Sequence, residues 1–202
     1  MTQNQQEQPT VFIVDDDPAI RFAMQALMDS VNIEHEIYSS GDEFLEKVDD
    51  HRAGCLVLDI RMPGLGGLEL QEELIKRDST LPIIFITGHG DVPMAVDAMQ
   101  KGAVDFIQKP FRDQDLLDRI REALKTDAER REEQQKHAEV AERLARLTNR
   151  EREVFDLVVT GKPNKVIAYE LGVSQRTVEI HRARVMEKMQ ARSLADLVKM
   201  HM

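Results

Sequence analysis

Four short apolar runs in the first 110 residues each end on a polar side chain able to do chemistry. VFIV is followed by Asp15 and Asp16, CLVL by Asp59, IIFI ends at Thr87, and DFIQ is followed by Lys109. Runs of four to eight residues rich in β-branched and aromatic side chains read as buried strands, and strands apolar on both faces belong to a parallel sheet covered on each side. The spacing predicts strands over residues 11–14, 33–38, 55–58, 83–87 and 104–108. It predicts helices over 18–30, 41–48, 68–77 and 93–101, and from 112 onward, with Pro18 suited to a first helical turn. Five strands alternating with five helices predict an α/β fold, a doubly wound, flavodoxin-like parallel sheet. Ligands of such sheets sit at the carboxyl ends of the strands. The alternation therefore gathers Asp15, Asp16, Asp59, Thr87 and Lys109 into one crevice, although nearly a hundred residues separate the first from the last.

Converging carboxylates must either hold a cation or repel one another. Asp15, Asp16 and Asp59 offer oxygen ligands suited to Mg²⁺, and an aspartate such as Asp59 can form an acyl phosphate. Lys109 and the Thr87 hydroxyl are the chemistry that phosphoryl oxygens require. Each acid alone is equally a helix cap or a solvated turn; Asp17 is read as a helix start.

No run of about 18 apolar residues is present, so no transmembrane span is expected. MTQNQQEQPT lacks the basic-then-apolar form of a secretory signal and reads as a disordered tail. The single Cys55, inside CLVLDI, cannot close an internal disulfide and reads as a buried thiol. A cytoplasmic location follows as the expectation. The net charge of −10 is unevenly spread: −13 over residues 1–127, zero over 128–147 and +3 over 148–202. An acidic module and a basic one imply different partners, and the basic one allows nucleic acid.

The segment DAERREEQQKHAEVAERLARL has no Gly or Pro and is dense in helix formers. It predicts a long helical linker, read either as a solvated spacer or, through the thin stripe Ala138, Ala141, Leu144 and Ala145, as a short coiled-coil contact. Thr148 and Glu151 form a capping-box pattern that opens a second domain. Gly161 and Gly172 end helices, and Ser174 caps a third, so that two helices are joined by a four-residue Gly-containing turn. That is a helix-turn-helix pattern. The helix after it carries Arg176, Thr177, His181, Arg182, Arg184 and Lys188, which suits either a DNA groove or a solvated basic face. The expected domains are residues 10–127, a linker over 128–146 and residues 147–202.

VFIVDDD, VLDIRMPG, IIFITGHGD and DFIQKPF, in this order, resemble the signatures of response-regulator receiver domains over about residues 10–125. The resemblance implies that Asp59 accepts a phosphoryl group from a sensor histidine kinase. It implies Mg²⁺ on Asp15, Asp16 and Asp59 with the Arg61 carbonyl, Lys109 against the phosphoryl group, and a cis peptide before Pro110. Thr87 and Phe106 match the family's switch pair; tyrosine is common at the latter position, and phenylalanine, with no hydroxyl, should favour the buried orientation. Arg61 and His89, at the rim, match positions that tune dephosphorylation. LTNREREVFDLVVTGKPNKVIAYELGVSQRTVEIHRARVMEKM resembles the LuxR-type DNA-binding domain. That implies an all-α four-helix helix-turn-helix unit with Val178, Glu179, Ile180 and Arg182 near the groove, and Lys165, Arg176 and Thr177 near the phosphates; Arg184 completes the set. Glu179 could accept a hydrogen bond from cytosine or pair with a neighbouring arginine. The two halves together resemble the NarL/FixJ family, its FixJ-type branch most.

The resemblance implies a phosphorylation-switched transcription regulator. It would form a homodimer on phosphorylation, bind promoter DNA and activate with RNA polymerase; no membrane partner is implied, and catalysis is limited to its own phosphoryl transfer. A DNA-binding regulator using the receiver as a phosphate-independent dimerisation scaffold is the alternative. An aspartate-based phosphatase would need an acid where Arg61 stands.

Overall fold

The structure, a computed structural model, describes residues 8–49, 51–88 and 92–201. The chain falls into two compact units, residues 1–131 and 132–202.

In the first unit five strands, β1 (Thr10–Val14), β2 (His35–Tyr38), β3 (Gly54–Asp59), β4 (Ile83–Thr87) and β5 (Asp105–Gln108), form one sheet of order β2-β1-β3-β4-β5. Every pairing is parallel. Helices α1 (Pro18–Ser30), α2 (Gly41–Lys47), α3 (Gly67–Lys76), α4 (Val92–Gln100) and α5 (Asp113–Ala145) alternate with the strands. The doubly wound α/β fold expected from the alternation is what forms. Because β1, β3 and β4 are apolar on both faces, the sheet has two cores. Phe12, Leu56, Leu58 and Phe85 point to one, and Val11, Ile13, Val57 and Ile84 to the other. β2 starts two residues later than the apolar pattern suggests. Ile33 closes α1 instead, donating its N–H to the Met28 carbonyl at 3.1 Å after Asn32 turns at φ 53°. The peptide between Lys109 and Pro110 is cis.

α5 is one helix of 33 residues, and the boundary between the units falls inside it. Its fifth turn is tied to the first unit by Asp127, a carboxylate 1% exposed. Asp127 Oδ2 accepts from Gly54 N at 3.0 Å and Arg131 Nε at 2.6 Å, and Oδ1 accepts from Arg130. Arg131 in turn donates to the His51 carbonyl at 2.8 Å and to the Arg52 carbonyl. Burial and the charge of Asp127 push the thiol of Cys55 up to about 12, so it stays protonated.

In the second unit, α6 (Asn149–Val159), α7 (Asn164–Leu171), α8 (Gln175–Lys188) and α9 (Leu194–His201) enclose Val154, Phe155, Val158, Ile167, Val178, Val185, Met189 and Leu197. Val140 and Leu144, at the end of α5, pack against this core, so that part of the expected spacer belongs to the second unit. Thr148 and Glu151 form the capping box at the start of α6. α7 ends on Gly172 at φ 64°, a left-handed position that costs glycine nothing. Ser174 Oγ accepts from Thr177 N at 3.1 Å and starts α8.

Candidate functional site

Parallel pairing of β1, β3, β4 and β5 brings their carboxyl ends together. Asp15 and Thr87 are 1% exposed there and Asp59 is 7% exposed. The Lys109 ammonium lies between two of these carboxylates, 2.6 Å from Asp59 Oδ1 and 3.1 Å from Asp15 Oδ2. The remaining oxygens are also engaged: Asp59 Oδ2 accepts from Arg61 N at 2.8 Å, and Asp15 Oδ1 from Asp17 N at 2.9 Å. Arg21 holds the Asp15 carbonyl at 2.8 Å. Burial raises the Asp59 carboxyl above the usual aspartate range, and the charge of Asp15 adds to this; Lys109 and the Arg61 N–H oppose it without cancelling it. For Lys109, burial works against the charged form, but the hydrogen bonds it donates to Asp59 and Asp15 outweigh it and hold the ammonium above its ordinary range.

The structure thus brings Asp15, Asp59, Thr87 and Lys109 to one place. Asp16 is exposed beside them, and Asp17 accepts from Ala19 N at 2.8 Å as the N-cap of α1. Among the described residues no group of three His, Cys, Asp or Glu side chains is arranged to hold a metal. Phe106 is half-buried and packs against the core cluster that holds Phe85 and Ala103. His89 lies outside the described residues. Gly67 is a residue the sequence reading passed over. A Cβ there would stand 2.3 Å from the Asp59 carbonyl oxygen, and its N–H donates to the Ile60 carbonyl at 3.0 Å. The start of α3 therefore lies directly on the acceptor's backbone, which only a glycine allows. The run of glycines at 64, 66 and 67 was the available signal.

In the second unit the expected DNA-contacting residues divide. Lys165, Arg176, Glu179, Ile180 and Arg184 are exposed, and Thr177 is intermediate. Val178 is a correction: at 0% exposure it lies in the core with Ile167 and Val185, because it falls on the buried stripe of α8 and fixes the helix rather than facing a groove. Arg182 Nη1 donates to Asn164 Oδ1 at 3.0 Å and joins α8 to α7. Lys188 also points inward, to the Arg146 carbonyl at 3.1 Å and Glu151 Oε2 at 2.5 Å. That ammonium, with the Thr148 N–H, holds Glu151 at about 2, well below the usual range.

Comparison with known proteins agrees with this arrangement. Residues 11–121 match the response regulator receiver domain, and residues 145–201 match the bacterial regulatory proteins of the luxR family. Nodulation protein W of Bradyrhizobium diazoefficiens is 49% identical over 94% of this chain and 84% of its own length. The transcriptional regulatory protein FixJ of Azorhizobium caulinodans is 45% identical over 94% of this chain and 90% of its own. The chain belongs to the NarL/FixJ family of response regulators. Among solved structures, the response regulator StyR superposes with a TM-score of 0.89 at 45% identity, covering 96% of this chain and 98% of that one. Full-length FixJ from B. japonicum gives 0.61 at 40% identity, covering 96% and 95%. This response regulator is a two-component transcription regulator with a receiver domain and a LuxR-type DNA-binding domain. No described helix is long and apolar enough to cross a membrane.

Proposed function

We propose that Asp59 of this regulator accepts a phosphoryl group from a sensor histidine kinase and that the resulting acyl phosphate controls binding of promoter DNA by the second unit. The observation that carries the reading is the Lys109 ammonium, 2.6 Å from Asp59 Oδ1 and 3.1 Å from Asp15 Oδ2 at the strand ends. A cation already placed on the acceptor oxygen can follow the charge that develops there as a phosphoryl group arrives. The raised affinity of Asp59 for a proton shows the cost of its buried charge, which a second cation would relieve.

The donor set fits a hard divalent cation, since it offers carboxylate and carbonyl oxygens and no sulfur or imidazole. Mg²⁺ would be held by Asp15, Asp16, Asp59 and the Arg61 carbonyl, and when bound would offset phosphoryl charge. Thr87, buried at the end of β4, follows Ile86, the residue paired with Asp59, and the half-buried Phe106 on the neighbouring strand would pack inward as the hydroxyl is drawn to the phosphoryl oxygens. Arg61 and His89 are assigned to setting the phosphoryl lifetime. The receiver of one phosphorylated copy would pair with another, and two DNA-binding units, extending to residue 202 from about residue 147, would engage a paired site beside RNA polymerase. Lys165, Arg176, Thr177, Glu179, Ile180, Arg182 and Arg184 supply the contacts.

Incubation with acetyl phosphate and Mg²⁺ tests the reading. The parent chain gains one phosphoryl mass and binds promoter DNA more tightly, while Asp59→Asn does neither. Equal mass and equal DNA affinity for both proteins would refute it and leave the receiver as a dimerisation scaffold.

A further inference from the structure

Cations on α7 and α8 sort into two groups by what they touch. Arg182 is held by Asn164, and Lys188 by Glu151 and the Arg146 carbonyl. Lys165, Arg176 and Arg184 are exposed and have no side-chain partner among the described residues. Cations bonded inside the unit hold the helices in place and reach DNA only with donors left over, as Arg182 does; unbonded ones have every donor available for phosphates. The free set marks α7 as well as α8.

One helical turn after Lys165, on the same side of α7, stands Tyr169. It is 89% exposed, the most exposed of the large hydrophobic side chains among the described residues, and its hydroxyl has no partner among them. Ile167 and Ala168 face the core, so Tyr169 contributes nothing to packing. The acid next to it is paired: both Glu170 oxygens accept from Lys162 Nζ at 2.8 Å. That cation offsets part of the negative charge that would repel a phosphate beside the ring. Asn164, adjoining Lys165, is the residue through which α7 is bonded to α8, so this strip is continuous with the helix read as facing DNA.

We propose that Tyr169, together with Lys165, forms a phosphate-backbone contact on the outer face of α7, with the Tyr169 hydroxyl donating to a phosphate oxygen and Lys165 supplying charge. The duplex is then gripped by α7 as well as read by α8. The inference rests on the reading that α8 faces DNA. A tyrosine hydroxyl is a neutral donor, and a lysine is a counterion. The two therefore leave different signatures in the salt dependence of binding.

The test uses the full chain treated with acetyl phosphate and Mg²⁺, and a mixed-sequence duplex titrated at several salt concentrations. Tyr169→Phe removes one oxygen from an exposed position and should weaken binding about fivefold with the salt slope unchanged. Lys165→Ala should weaken binding and make the slope shallower by about one. Arg176→Ala and Arg184→Ala serve as the control on the underlying reading. If they leave affinity intact, α8 does not face the duplex and the proposal falls with that reading. If they weaken binding while Tyr169→Phe binds as tightly as the parent, the proposal alone is overturned. Loss of promoter activation by Tyr169→Phe with DNA affinity intact also overturns it, and assigns the strip to a protein partner.

Discussion

Asp127→Ala should destabilise the receiver far more than the position of this residue in a highly charged helix suggests. The carboxylate is 1% exposed and accepts from Gly54 N, Arg130 and Arg131. Truncation leaves the Gly54 N–H buried with no acceptor, at about 2 kcal/mol. The two charged hydrogen bonds would be worth about 1.5 kcal/mol each if fully buried. Both guanidinium partners are 31% exposed and can rehydrate, which reduces that contribution to about 0.5 kcal/mol each. The sum is about 3 kcal/mol, or a fall of roughly 10 °C in Tm for a unit of this size. Asp127→Asn keeps one oxygen to accept from Gly54 and Arg131 but loses the charge and turns an NH2 toward Arg130, which can rehydrate, so it should cost about 1 kcal/mol and roughly 4 °C. Calorimetry on the full chain reads both, and the transition of the second unit should not move. If Ala and Asn variants melt together, the Gly54 contact is not what holds Asp127, and the reasoning fails.

Three other outcomes follow from the same structure. Glu151 is depressed to about 2 by Lys188 and Thr148, so its contribution is complete above pH about 4.5 and disappears as pH falls toward 2; acid titration of the second unit by circular dichroism should show this, and Glu151→Gln should flatten it. Val178→Ala should lower the stability of the second unit by about 2 kcal/mol while DNA affinity per folded molecule stays at the parent value, since its two lost methyl groups lie in the core. Gly67→Ala puts a methyl 2.3 Å from the Asp59 carbonyl and should abolish phosphorylation by acetyl phosphate through displacement of the acceptor strand's end, detected by mass; normal phosphorylation would contradict the close approach.

Which parts of this molecule could be read from the chain depends on whether a residue stood out from its neighbours. Asp59 and Lys109 did, because each interrupts or follows an apolar run whose end the sheet must place at one edge. Asp127 did not. It sits among Lys125, Glu129, Arg130 and Arg131, where one more charge looks solvated, and only the return of β3 past the helix buries it. Val178 was read as facing DNA because a motif gives positions and not directions; the stripe of Val178, Val185 and Met189 carried the direction. The sequence ends the first domain at residue 127 and starts the second at 147, while the compact units meet after Arg131, inside a helix that nothing between Asp113 and Ala145 breaks.

That unbroken helix bears on where the chain can be cut. A receiver fragment ended at residue 121, where the recognised domain stops, lacks Asp127 and Arg131 and exposes the Gly54 amide. A DNA-binding fragment begun at 145 or 147 strips Val140, and with it Leu144, from its core. Fragments that keep both units whole must be divided within a single run of helix, after Arg131. Each then carries a frayed half-helix end that the intact protein never has, so the two halves, studied apart, start from termini foreign to the whole.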